Sequence, residues 1–304
     1  MIKDFQTILC HAREAGPKVL AVAAAEDAEV LSAVERARQE GIIVPILVGD
    51  KVKTESLMKE SDICSNSYEI IDIRDSVEAC GKAVELVRTG RALTLMKGFV
   101  DTSVILKAVL NKDTGLKPEG LLSHVGVLKT DKYDRFFILS DSAINISPSL
   151  EDKACIIANA VEVAHALGNM KPKVALICPV EKVNEKIIST VHAAELVKMN
   201  QSGLINGCIV GGPFALDNAV SLEAAKHKGI AHPVAGRADI LITPNLEVGN
   251  VLNKAMEYFG NTEKAGIIMG AGVPIVLTSR ASSSASKLNS IALAALVADK
   301  GGNL

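Results

Sequence analysis

Along the chain, short apolar runs of strand length alternate with longer stretches whose apolar positions recur at helical spacing. This is the pattern of a βαβ protein, an α/β fold with a mostly parallel sheet. Residues 19–25 read as a first strand, 28–40 as a helix ended by Gly41, and 42–49 as a second strand. Further strands are expected at 68–73, 92–97, 174–180, 205–210 and 238–243, each followed by a helix and most closed by Gly or Pro. Residues 124–130 and 135–140 break the rhythm: two extended runs joined by Asp131-Lys132-Tyr133-Asp134 read as an antiparallel hairpin. The seam between two α/β lobes is expected there, with a ligand crevice beside it.

Composition narrows the field. With 304 residues, 48% hydrophobic and 22% charged, the chain is an ordinary globular protein of about two domains. Lys plus Arg number 33 against 35 Asp plus Glu, and there is no Trp, so a nucleic-acid role is not expected. The longest uncharged apolar run, between Lys264 and Arg280, contains Pro274 and falls short of the ~20 residues that span a bilayer. It reads as buried strand and loop. No apolar signal stretch follows Met1-Ile2-Lys3-Asp4, and the six cysteines form no C-x-x-C, so a cytoplasmic protein without a metal centre is expected.

Three strand exits carry the candidate chemistry. Residues 275–280 deliver Thr278, Ser279 and Arg280 at the end of an apolar strand, and Ser282, Ser283 and Ser284 open a helix over 284–298. A guanidinium beside a helix N-terminus binds anions, although N-capping serines and a surface arginine are the plainer alternative. At Lys97-Gly98 a strand ends in a point charge and a turn glycine, before Asp101-Thr102-Ser103 and a helix holding Lys107. Gly211-Gly212-Pro213 forms the third exit, and Asp217 beyond it is a helix cap or a functional carboxylate. Three such junctions at strand C-termini favour an anion-binding cleft. There is no phosphate-binding G-x-x-x-x-G-K-[ST], no dinucleotide glycine fingerprint, since Gly270-Ala271-Gly272 runs into Val273-Pro274, no H-E-x-x-H and no G-x-S-x-G. His124, opening a strand near the seam, reads as a structural histidine before a proton carrier.

Taken together, Leu95-Met96-Lys97-Gly98, residues 140–146 (SDSAINI), Gly212-Pro213-Phe214-Ala215-Leu216-Asp217, residues 238–250 with their Pro244-Asn245-Leu246-Glu247, and Ser279-Arg280 resemble the phosphate acetyl/butyryltransferase family. The Met-Lys-Gly junction, the Pro-Asn-Leu-Glu segment and the helix from Lys287 to Ala294 look closest to its butyryl branch. The resemblance implies two α/β domains related to the isocitrate/isopropylmalate dehydrogenases, with the active site in the interdomain cleft. The domains would be residues 1–133 completed by the C-terminal helix in 280–304, and residues 134–279. It also implies the reaction, acyl-CoA plus phosphate giving acyl phosphate plus CoA by direct attack in a ternary complex. Coenzyme A is then a substrate, no cofactor is permanently bound, and a homodimer or larger homo-oligomer is expected.

By the same resemblance Arg280 holds phosphate and Ser279 donates a hydrogen bond to the thioester carbonyl. Lys97, Gly98, Thr102, Lys107, Gly212, Pro213, Asp217, Asn245, Thr278, Ser282 and Ser283 bind substrate. Lys107 stands where the acetyl branch carries a second arginine. One departure matters: the acetyl branch places an aspartate a few residues after the arginine to deprotonate CoA, and Ser286 occupies that position here. The proton then goes to bound phosphate, His124, Asp217 or solvent. Alternatives at this point are a phosphate acetyltransferase with short-chain preference, a non-catalytic acyl-CoA-binding homologue, and an oxidoreductase of the isocitrate dehydrogenase fold.

Overall fold

The computed structural model describes residues 1–116, 120–279 and 282–301. The first part of the chain forms α1 (Phe5–Glu14), β1 (Lys18–Ala23), α2 (Ala28–Gln39), β2 (Ile43–Gly49), α3 (Lys51–Glu60), β3 (Glu69–Asp72), α4 (Ser76–Arg88), β4 (Thr94–Lys97) and α5 (Thr102–Val109). Then come β5 (Ser123–Thr130), β6 (Phe137–Ser140), α6 (Leu150–Ala166), β7 (Lys173–Ile177), α7 (Ile188–Gln201), β8 (Ile209–Phe214), α8 (Leu216–Val220) and α9 (Leu222–His227). The remainder is β9 (Ile240–Ile242), α10 (Leu246–Phe259), β10 (Thr262–Met269), β11 (Ile275–Val276) and α11 (Ser284–Gly301). The fold is α/β, with strands that are mostly parallel, as the alternating periods predict.

Two compact units divide these elements. One comprises residues 5–120 with 265–304, and the other residues 1–4 with 121–264. In the first, strands lie in the order β3-β2-β1-β4-β11-β10, parallel throughout except for β11 against β10. Leu20, Ala21, Val22 and Ala23 of β1 are all buried, as befits a parallel strand covered on both faces. Aspartates start the helices around it: Asp27 accepts a hydrogen bond from the Val30 amide at 2.8 Å, and Asp75 accepts from the Val77 and Glu78 amides at 2.9 Å. In α11, Leu288, Ile291, Ala292, Leu293 and Leu296 are buried, so this helix belongs to the core of the first unit, against α1 and α2. Met96 of β4 lies opposite Val276 of β11 in a parallel pair. The chain therefore leaves both strands at the same edge.

In the second unit the order is β5-β6-β9-β7-β8, with β5 and β6 antiparallel and the rest parallel. Phe137, Leu139, Ala175, Phe214 and Leu241 build its core. The expected hairpin is present, with Val127 opposite Ile138. Both of its strands lie in one unit, so the divisions fall at 120/121 and 264/265, not at the expected 133/134 and 279/280. A cut within the hairpin severs an antiparallel ladder, and a cut after residue 279 takes β11 from its partner β4.

The strand expected at 205–210 is displaced to Ile209–Phe214. Ile205 and Cys208 are buried within an otherwise exposed turn after α7, where Asn200 Nδ2 donates to Ile205 O at 2.9 Å and to Cys208 O at 3.2 Å. Gly211, Gly212 and Pro213, expected as a strand exit, lie inside β8.

Candidate active site

The site builds from the β4 and β11 exits of the first unit. After Lys97 the chain turns tightly against the end of β1: the Gly98 amide donates to Ala23 O at 2.8 Å and the Phe99 amide to Ala24 O at 2.6 Å. A Cβ on Gly98 would lie 2.0 Å from Ala24 O, so glycine is dictated here by close backbone approach. Lys97 is buried at 6% exposure, and its ammonium donates to Gly98 O at 3.1 Å and Val100 O at 3.0 Å. Its charge is thereby fixed beneath the loop. The Cys80 thiol feels that charge, yet burial pushes it up to about 11, so it is not a thiolate nucleophile at neutral pH.

At the neighbouring exit, Thr278 is half-buried and Ser279 is exposed. The Ser282 amide donates to Ser279 O at 3.0 Å and closes a turn. Ser283 Oγ then accepts from the Ser286 amide at 3.2 Å, which makes Ser283 the cap of α11. Ser286, where the resemblance sets an aspartate in other members, accepts a hydrogen bond from the Ser283 hydroxyl at 3.1 Å. Arg280 lies outside the described residues. Thr102 is the first residue of α5 and half-buried, and Lys107 is exposed in its last turn. Five residues apart on a helix, the two point about 140° from each other, so Lys107 shares its face with Ser103 rather than Thr102.

The candidates of the second unit have different settings. Gly212 packs on Leu176, whose Cβ would be 2.8 Å from an added Cβ, and Pro213 is buried in β8. Asn245 caps α10, accepting from the Val248 amide at 3.0 Å, and its carbonyl accepts from Thr243 Oγ1 at 3.3 Å. Asp217 does not cap α8. It pairs with Lys228 at 2.9 Å, and Lys228 also pairs with Glu181 at 2.7 Å. That hydrogen-bonded ammonium holds the Asp217 carboxyl below its ordinary range, which makes it a weak base for a thiol.

Sequence reasoning gave no role to the buried polar cluster at the β6 exit. Asp141, 2% exposed, accepts hydrogen bonds from the amides of Ala143 at 2.8 Å, Ile144 at 3.1 Å and Asn145 at 3.1 Å, and from Asn145 Nδ2 at 2.6 Å. Its signal was present as a polar Asp-Ser directly after an apolar strand. Beside it, His124 Nδ1 lies 3.0 Å from Ser142 Oγ. Burial holds His124 below its ordinary value; the Asp141 charge opposes it, and the Lys264 charge adds a smaller push in the same direction as burial. His124 is therefore a neutral, buried residue and not a carrier of protons to solvent.

A stability prediction follows from that sign. Above the unfolded-state value of about 6.5 neither state protonates His124; as pH falls below it, only the unfolded state takes the proton and the native state loses stability. His124→Gln should flatten the fall in Tm between about pH 7 and about pH 5. An unchanged slope in thermal unfolding contradicts this assignment.

A second missed feature is Lys153, 5% exposed at apolar-face spacing with Ile156, Ile157 and Ala160 on α6, its ammonium 2.9 Å from His192 Nδ1. Among the described residues no group of His, Cys, Asp and Glu is arranged to hold a metal, and no helix is long and apolar enough to cross a membrane.

Comparison with known proteins gives a consistent family. A family model for phosphate acetyl/butaryl transferase matches residues 4–80 and 76–295. The chain is 49% identical over 298 residues to the phosphate butyryltransferase of Clostridium beijerinckii, covering 98% of this chain and 99% of that protein. A crystal structure of a branched-chain phosphotransacylase from Enterococcus faecalis matches with a TM-score of 0.82 at 34% identity, over 92% of this chain and 99% of that one. The 4-hydroxythreonine-4-phosphate dehydrogenase of Klebsiella pneumoniae shares the fold, with a TM-score of 0.56 at 13% identity, over 93% of this chain and 99% of that one.

Proposed function

The chain belongs to the phosphate acetyl/butyryltransferase family, and from that membership we propose that it is a phosphate butyryltransferase, interconverting butyryl-CoA plus phosphate and butyryl phosphate plus CoA. One juxtaposition carries the reading: exposed Ser279 leaves β11 at the edge where the parallel neighbour β4 delivers the buried charge of Lys97.

In the acyl-phosphate-forming direction a phosphate oxygen attacks the thioester carbonyl. An O–C bond forms, the carbonyl oxygen becomes an oxyanion, and its collapse breaks the C–S bond. Ser279 donates a hydrogen bond to that oxyanion, and Arg280 holds two phosphate oxygens at once. Lys97 supplies a fixed positive potential, and Thr102, Lys107, Thr278, Ser282 and Ser283 complete substrate binding in the first unit. Gly212, Pro213, Asp217 and Asn245 of the second unit are carried into the same substrate-binding proposal from the family resemblance. Coenzyme A departs as a thiolate of ordinary pKa about 8.5 and takes its proton from water, so this direction needs no protein base in the place of Ser286. CoA is a substrate and not a resident cofactor.

A cytoplasmic setting, supported by six free cysteines, and a homo-oligomeric state belong to the same proposal. A branched-chain acyl group is the second reading, favoured by the likeness to the Enterococcus faecalis phosphotransacylase. A hydrophobic pocket discriminates a methylene by only ~1–3 kcal/mol, so few side chains decide between them.

Direct transfer is tested by initial rates with butyryl-CoA and phosphate both varied. Intersecting reciprocal lines are expected, whereas parallel lines would reveal a covalent acyl-enzyme and overturn the ternary-complex mechanism.

A further inference from the structure

A lysine outside the assigned machinery sits beneath the Ser279 turn. Lys287, in the first turn of α11, is 2% exposed, and its ammonium donates to Ser282 O at 2.5 Å. Ser282, itself 6% exposed, donates through its amide to Ser279 O at 3.0 Å. The Lys287 amide donates to Ser283 O at 3.0 Å, so the two ends of this residue hold Ser282 and Ser283.

The arrangement is electrostatically costly. A helix N-terminus carries partial positive charge, so an ammonium in the first turn is repelled by the dipole. Burial also strips the cation of water, and among the described residues no carboxylate forms an ion pair with Lys287. A methionine would fill the same space without that cost. Stability therefore gives no reason for lysine here, and the hydrogen bond to Ser282 is what lysine adds.

We infer that Lys287 is a positioning residue for catalysis, holding Ser282 so that the turn presents Ser279 to the developing oxyanion. This rests on the reading of Ser279 given above. The chain of contacts is Lys287 Nζ to Ser282 O, then Ser282 N to Ser279 O. A loosened turn leaves ground-state binding in place but misaligns a donor that matters only in the transition state.

The test uses the whole protein carrying Lys287→Met, Lys287→Gln, Ser279→Ala and the double variant Ser279→Ala with Lys287→Met. Lys287→Met should lower kcat by roughly 10- to 100-fold with KM for butyryl-CoA within about twofold, while Tm stays level or rises. Lys287→Gln keeps a donor for Ser282 O and should recover part of the loss; it also serves if the methionine variant folds poorly. In the Ser279→Ala background Lys287→Met should cost little more, because both act through one donor. The inference is overturned if Lys287→Met keeps the parent kcat, or if its loss persists undiminished without the Ser279 hydroxyl. A purely structural lysine would instead lower Tm and leave kcat per folded molecule unchanged. If Ser279→Ala alone keeps full activity, the Ser279 reading fails and the inference with it, a result separate from a silent Lys287→Met beside a slow Ser279→Ala.

Discussion

Ser279→Ala is expected to lower kcat by about 10²- to 10³-fold, equivalent to ~3–4 kcal/mol of transition-state stabilisation, with little change in KM for butyryl-CoA. The size follows from what the hydroxyl meets. A ground-state thioester carbonyl is a weak acceptor, while the tetrahedral oxyanion carries nearly a full charge. A donor held at that position acts mainly in the transition state. Ser279 is exposed, and the turn that carries it is closed by backbone atoms, the Ser282 amide and the Ser279 carbonyl, which alanine keeps. Thermal stability should therefore stay within about 0.5 kcal/mol of the parent. A variant that loses kcat with an unchanged Tm fits an oxyanion donor, and one that raises KM alone does not.

Gly98→Ala should be the most damaging single methyl at the site. The added carbon would stand 2.0 Å from Ala24 O and 2.7 Å from Ala23 O, both backbone atoms with no rotamer to yield. Ala24 is already held at φ 52°, in the left-handed region, so the end of β1 has little freedom to retreat. The β4 exit must move instead, breaking the 2.8 Å and 2.6 Å hydrogen bonds from the Gly98 and Phe99 amides. A loss of about 3 kcal/mol is expected, read as a lower urea midpoint. Because the same loop accepts the hydrogen bonds of Lys97, activity should fall in the molecules that still fold. Unchanged stability would show that the tight turn is not required.

Much of the fold was legible because its parallel strands are continuous apolar runs and several of its helices start on aspartates or serines: residues 42–49 and 28–40 were found nearly to the residue. The errors have physical causes. Ile205 and Cys208 read as strand because a mostly exposed turn can still bury two apolar side chains, and Asn200 supplies the hydrogen bonds that a ladder would have given. The domain limits were misplaced because a hairpin marks a change of strand direction, not the end of a core.

Single residues were harder to assign. A glycine at a strand end signals close approach, but the sequence does not say whether a ligand or another backbone comes near; at Gly98 it is Ala24 O. Asn245 and Ser283 both cap helices, a structural role stated in advance for the serines alone. Lys287, named only as the first residue of a family-like helix segment, and Lys153 lay within helical patterns with no role assigned, because burial of a cation is a tertiary fact that spacing alone does not disclose.

The central claim is phosphate-dependent acyl transfer, and it is tested most directly by following thiol release from butyryl-CoA at increasing inorganic phosphate, with acetyl-CoA in parallel. The account predicts release that requires phosphate, saturates with it and is faster with butyryl-CoA, with one butyryl phosphate formed per thiol. Release at the same rate without phosphate would mean hydrolysis of the thioester and would contradict it, as would tight binding of butyryl-CoA with no release at any phosphate concentration.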